Sequence, residues 1–132
     1  MQELFVDTSA WFAFVYQRDP DHVQTREFIQ QFQGRLITSN YVFDELITLV
    51  LTRANHAEAV KIGNLLKDPT AVTLTRVTLE DEERAWEFLR KMDDKTYSFT
   101  DCTSFMLMKR LRLNIALSLD SHFEQAGFHR VP

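Results

Sequence analysis

The chain has 132 residues, 45% of them apolar, with eleven Phe but only three Gly and three Pro. That composition excludes disordered and low-complexity classes and leaves enough chain for one sizeable core. Nineteen acids against fifteen bases give a net charge of −4, which argues against a broadly basic nucleic-acid-binding surface. The longest apolar run, AWFAFVY at 10–16, is too short to span a bilayer. No basic segment precedes an apolar one, so no secretory signal is expected. The lone Cys102 rules out an internal disulfide and suits a reducing compartment. The expectation is one soluble, cytoplasmic domain over residues 1–132.

In chain order, LFVD (4–7) reads as a short buried strand, followed by a helical stretch through Tyr16 that QRDP (17–20) breaks. Over 21–33, Phe28, Ile29 and Phe32 recur at helical spacing, with Gly34 as the stop. RLITS (35–39) is a second strand, and Ser39 or Asn40 is a natural N-cap for a helix over 41–51. A further helix covers about 56–66, and the β-branched AVTLTRV (71–77) is a strand. Thr78 and Asp81 have capping-box spacing, and Ala85, Trp86, Leu89 and Met92 form the expected buried stripe of that helix. After a loop at 93–98, Ser98 and Asp101 repeat the spacing and open a helix through Arg112, with Phe105 and Met108 at i+4 and i+7 from Asp101 along its expected buried stripe. IALSL (115–119) is a strand, DSHFEQ a helical turn, Gly127 a break and FHRV a last short strand.

Short strands alternating with helices predict an α/β fold, a three-layer α/β/α sandwich around a short parallel sheet. Sites in such sheets lie beyond the carboxyl ends of the strands. Asp7 closes the first strand and Asp120 follows the strand at 115–119. Asp101 opens the helix that feeds that strand, so it belongs at the same edge. The helix after the second strand carries an acid about five residues in, roughly 7 Å from its start. The helical wheel places Asp44 and Glu45 on opposite borders of one polar face and does not choose between them. Each acid taken alone can be a helix or turn cap. Together, four carboxylates on one rim repel one another and resist burial, a cost that a hard divalent cation, Mg²⁺ or Mn²⁺, removes.

Other residues carry blander readings. The four His (22, 56, 122 and 129) are too scattered for a zinc site; His122 in DSHF is a candidate to approach the site, but it reads first as a local structural residue. Cys102 reads as a small buried thiol, and Trp11, Phe12 and Phe14 as core. The bases at Arg53, Lys61, Lys67 and in KRLR (109–112) read as solvated helix surface.

The segments FVDTSAW, NYVFDEL, SFTDCTSF and LSLDSHFEQAGF, in this order and spacing, resemble those of PIN-domain nucleases, and within them the VapC-type toxin ribonucleases of toxin–antitoxin pairs. The resemblance implies a PIN-like fold with a Mg²⁺ or Mn²⁺ pocket that hydrolyses RNA, leaving a 5′-phosphate and a 3′-hydroxyl. It assigns the pocket to Asp7, Glu45, Asp101 and Asp120, choosing Glu45 over Asp44; Asp7 and Asp101 are the candidates for direct metal ligands, and Glu45 and Asp120 for contact through metal-bound waters. Thr8 or Ser9, and Thr100, take the place of small orienting hydroxyls, while Arg53 and Lys109 are candidates for holding the RNA backbone. It also implies a homodimer and a cognate antitoxin that inserts a segment into the acidic pocket. A stand-alone PIN ribonuclease without an antitoxin is the alternative. A phosphoacceptor domain is disfavoured, because Asp7 stands alone in FVDTS and no Lys follows Lys109. An inert binding module is distinguished by its lack of metal-dependent stabilisation.

Overall fold

Leu4, Phe5 and Val6 offer no polar side chain to turn toward water, and they form the middle of the sheet. In the computed structural model, which describes residues 2–132, all three are buried in β1 (Gln2–Val6). β2 (Gly34–Ser39), β3 (Val72–Thr75), β4 (Ile115–Leu117) and β5 (His129–Val131) complete a fully parallel sheet in the order β3-β2-β1-β4-β5. The chain therefore winds outward from β1 through β2 to β3, then returns to β1's other side for β4 and β5. The order reverses between β1 and β4, and a crevice opens at such a reversal beyond the strand ends.

The helices fill the crossovers. α1 (Thr8–Val15) and α2 (His22–Gln31) join β1 to β2, and α3 (Asn40–Arg53) and α4 (His56–Lys67) join β2 to β3. α5 (Leu79–Lys91) and α6 (Phe99–Leu111) make the return to β4, and the short α7 (His122–Gln125) leads to β5. Right-handed crossovers put the outward and return sets on opposite faces, which gives the expected α/β/α sandwich. Trp11 fixes α1 to the sheet: it is fully buried, and its indole N–H reaches the Thr38 hydroxyl at 3.3 Å. That hydroxyl in turn donates to the Val6 carbonyl at 3.1 Å. Of the two candidate caps for α3, Ser39 is the one used, accepting the Val42 N–H at 3.1 Å. Both capping boxes, Thr78 with Asp81 and Ser98 with Asp101, are closed in both directions.

Three local expectations are corrected. Gly34 is the first residue of β2 rather than a helix stop, and α2 ends at Gln31. It pairs with Gln2 so closely that a Cβ would lie 2.4 Å from the Gln2 carbonyl oxygen, which is why no side chain fits there. Trp86 is 53% exposed. The inward face of α5 runs through Asp81, Ala85, Phe88, Leu89 and Met92 instead, and Trp86 lies about 100° round the helix from Ala85. α6 does not present a stripe at all, since every residue from Asp101 to Met108 is buried with α3, α5 and α7 packed about it. With every side covered, polar Asp101, Thr103 and Ser104 are buried alongside the apolar residues, and periodicity is a poor guide.

Within KRLR, Arg110 is an internal tie rather than free surface. Its Nε and Nη2 reach the Asp81 carboxylate at 3.0 and 2.8 Å, joining the start of α5 to the end of α6. Asp81 is buried. Burial opposes its ionisation, but the Arg110 and Thr78 hydrogen bonds outweigh it and hold the carboxyl below the usual range. Among the described residues no helix is long and apolar enough to cross a membrane.

Removing the guanidinium strands a buried charge, so Arg110→Ala should cost about 3 kcal/mol in urea unfolding. Trp86→Ala should stay within about 0.5 kcal/mol, as an exposed position does. A reversed ranking of the two would contradict this packing.

Candidate metal centre

Asp7 follows β1 directly, and its backbone N–H donates to the Leu117 carbonyl at 3.0 Å. The ends of β1 and β4 are thereby joined at the point where the strand order reverses. Asp7 occupies the N-cap position of α1, yet its side chain caps nothing. It is 3% exposed, and Oδ2 accepts hydrogen bonds from the hydroxyls of Ser9 at 3.1 Å and Ser118 at 3.0 Å.

Asp101 arrives from α6. Its Oδ2 closes the capping box with the Ser98 N–H at 3.1 Å and also lies 2.8 Å from His122 Nδ1. Asp120, just beyond β4, accepts the His122 backbone N–H on Oδ1 at 3.0 Å. Capping is therefore real for Asp101 and for Asp120, which holds a local turn, but not for Asp7. In all three, one carboxylate oxygen is bound into the fold while the other has no side-chain hydrogen-bond partner among the described residues.

These acids line one cleft of about 800 Å³, whose other wall is α3. Glu45 is half-buried on that wall and Asp44 is exposed beside it. Arg53 lines the same cleft, two helical turns along α3. Lys109 does not; its ammonium lies over the Phe88 ring, 5.7 Å from the centroid. Of the small hydroxyls, Ser9 holds Asp7, whereas Thr8 Oγ1 is buried in the lining with no hydrogen-bond partner. Thr100 also lines the cleft, its carbonyl accepting the Thr103 hydroxyl at 2.7 Å.

Two contributors were not expected from sequence. Ser118 is fully buried between Asp7 and Ser9, and His122 touches both Asp101 and Asp120. The Asp-Ser-His order is the available signal, since an Asp accepting the N–H two residues on is a common turn and brings His122 back over the acids.

The electrostatics are those of a site short of positive charge. Burial, then the charges of Asp101 and Asp120, push Asp7 from the usual 3.8 to about 7. Asp101 is also raised, by burial first and by Asp120, against the opposing hydrogen bonds from Ser98 and His122. Ligand atoms of Asp101, Asp120 and His122 come within 4.8 Å of one another. Carboxylates with a spare oxygen each, an unpartnered buried hydroxyl and a raised Asp7 fit a hard divalent cation. Cys102 offers no competing chemistry, because burial lifts its thiol to about 11 and keeps it protonated.

The profile of the PIN domain matches residues 4–129. The chain belongs to the PIN-domain family. It is 36% identical over 128 residues to the Mycobacterium tuberculosis 23S rRNA-specific endonuclease VapC20, covering 97% of both chains. The crystal structure of that protein, described as a Sarcin-Ricin loop cleaving toxin, superposes with a TM-score of 0.92 over 97% of this chain and 98% of the other, at 35% identity. Ribonuclease VapC26 of the same species is 31% identical over 91% of this chain and 89% of its own. The structure of VapBC2 from Rickettsia felis, bound to a DNA fragment from their promoter, shares the fold alone, with a TM-score of 0.71 at 9% identity over 98% of each chain. This chain is a PIN-domain nuclease related to the VapC toxins.

The sign of the Asp7 effect on stability follows from linkage. Below pH 4 its carboxyl is protonated in folded and unfolded chains alike. Between about 4 and 7 only the unfolded chain ionises, so metal-free stability falls, by about 4 kcal/mol in total at 1.4 kcal/mol per pH unit. Metal-free Asp7→Asn should therefore melt above wild type at pH 8, with the gap closing at pH 4. Adding Mn²⁺ at pH 8 should raise the wild-type melting temperature and leave the variant's nearly unchanged. A gap that ignores pH would contradict the assignment.

Proposed function

We propose that this chain is a metal-dependent endoribonuclease that hydrolyses RNA phosphodiester bonds, and that it acts as the toxin of a type II toxin–antitoxin pair. The observation that carries this reading is the convergence of Asp7, Asp101 and Asp120, from two strand ends and one helix start, on a cleft whose far wall bears Glu45. Those four acids would hold Mg²⁺ or Mn²⁺. Bound there, a divalent ion supplies charge neutralisation, polarisation of the scissile phosphate and activation of water.

The chain's own residues do the rest. The hydroxyls of Ser9 and Ser118 hold Asp7, and the Ser98 N–H with His122 holds Asp101, so the acids meet the substrate already oriented. Thr8 and Thr100, in the same lining, would orient water or ligand oxygens. Arg53, eight residues from Glu45 and so roughly 12 Å along the helix, offers a cation for a phosphate distant from the cut. Lys109 lies outside the cleft lining and has no part in this reading. In the reaction a water oxygen joins phosphorus as the bond to the 3′-oxygen breaks, giving a 5′-phosphate and a 3′-hydroxyl. An antitoxin with a basic segment fits the same acidic cleft, and dimerisation is part of the proposal. The first substrate to offer is 23S rRNA, for which the mycobacterial relative is named.

The test is cleavage of total and ribosomal RNA with Mn²⁺ or Mg²⁺, with mapping of the ends. Wild type should give discrete cuts ending in a 5′-phosphate, and Asp7→Asn or Asp101→Asn should lose more than about a hundredfold in rate. Equal cleavage by wild type and the Asp7 variant would overturn the proposal.

A further inference from the structure

His122 reaches two of the acids by two different routes. Its backbone N–H is bound by Asp120 Oδ1 at 3.0 Å, and its ring Nδ1 lies 2.8 Å from Asp101 Oδ2. The direct Nδ1 to Asp120 Oδ1 separation is 3.7 Å, too long for a hydrogen bond. The ring stands edge-on to Tyr97, 5.5 Å between centroids at 88°, and Nε2 faces the Thr96 hydroxyl at 3.4 Å. The imidazole is thus wedged between α6 and the turn after β4, and it is half-buried in the cleft lining.

A histidine this close to two carboxylates has two uses. It can lend a ring nitrogen to a cation, or it can donate a proton to a carboxylate that itself holds the cation. At Nδ1, the nitrogen that faces the acids, the two demand opposite states, since a ligand needs a lone pair and a donor needs the hydrogen, while Nε2 is turned to the Thr96 hydroxyl. The geometry favours the donor. Asp101 Oδ2 already accepts the Ser98 N–H, so the oxygen facing His122 is acting as an acceptor, and a second N–H satisfies it. That leaves Asp101 Oδ1, the oxygen without such a partner, as the one presented to the cleft.

We propose that His122 is a positioning residue, which donates from Nδ1 to Asp101 Oδ2 and fixes the Asp101 carboxylate relative to Asp120 while staying outside the metal's own ligand set. This rests on the reading of the acidic cleft as a divalent-metal site. Groups that orient ligating carboxylates typically change metal affinity by about 10–100-fold when removed. His122 also couples the two sides of the cleft, because one residue sets the place of an acid from α6 and an acid from the β4 turn.

The test uses Mn²⁺ binding rather than catalysis. Mn²⁺ is titrated by calorimetry into wild type, His122→Asn and His122→Ala, and wild-type Mn²⁺ is examined by pulsed electron paramagnetic resonance for directly coordinated nitrogen. Asn places an N–H donor near the Nδ1 position but lacks a ring nitrogen. The expected result is Mn²⁺ affinity close to wild type in His122→Asn, a loss of about 10–100-fold in His122→Ala, and no nitrogen coordination signal in wild type. A nitrogen signal, or equal loss in both variants, would overturn the role of His122 and leave the metal centre standing. Wild type that binds no Mn²⁺ would overturn both. Should His122→Ala fail to fold, the wild-type spectrum and the Asn variant still decide.

Discussion

The structure depends on the burial of one carboxylate. Asp7 is set between β1 and β4 where the strand order reverses, almost shut off from water and within the field of two more acids. Among the described residues no cationic side chain forms an ion pair with it. The hydroxyls of Ser9 and Ser118 satisfy one oxygen, yet Asp7 still rises to about 7. Asp81 makes the contrast. It is buried as fully, but Arg110 grips it, and its pKa moves the other way. At Asp81, whose carboxylate serves structure, the chain provides a guanidinium. At Asp7 it does not, and a divalent cation would make good the shortfall.

The surrounding architecture prepares the acids for that ion. The sheet reversal brings two strand ends together, and α6 begins at the same edge. Each of Asp7, Asp101 and Asp120 is anchored through one oxygen, by hydroxyls, a capping box and a tight turn respectively. Anchoring through one oxygen costs little freedom at the other, so the cluster is ordered before any ligand arrives. Capping and metal holding are compatible uses of the same side chain, and in the proposed site they would coincide at Asp101.

Much of this was legible in the sequence, for identifiable reasons. Strand ends and capping boxes are local signals, so Asp7, Asp101 and Asp120 could be placed on one edge once the sheet was taken as parallel. The choice of Glu45 over Asp44 needed the family resemblance, because both fall within one polar face; in the fold both line the cleft, and Glu45 is the less exposed. Contacts between segments distant in sequence were not legible. Ser118 meets Asp7 across 111 positions, and His122 meets Asp101 across 21. Arg53 and Lys109 look alike in sequence, each eight residues beyond an acid on its own helix. α3 forms a wall of the cleft while the end of α6 leads away from it, and helical spacing carries no information about that. Trp86 misled because apolarity at helical spacing does not reveal which border of the stripe is covered.

The central claim is that a divalent ion takes over the role the proton plays at Asp7. Calorimetric titration of Mn²⁺ in buffers of different ionisation enthalpy measures it directly, because it counts protons released per ion bound. With Asp7 near 7, about one proton should leave per ion at pH 6 and close to none at pH 8.5. Binding with no proton release at pH 6, or no binding at either pH, would contradict the account.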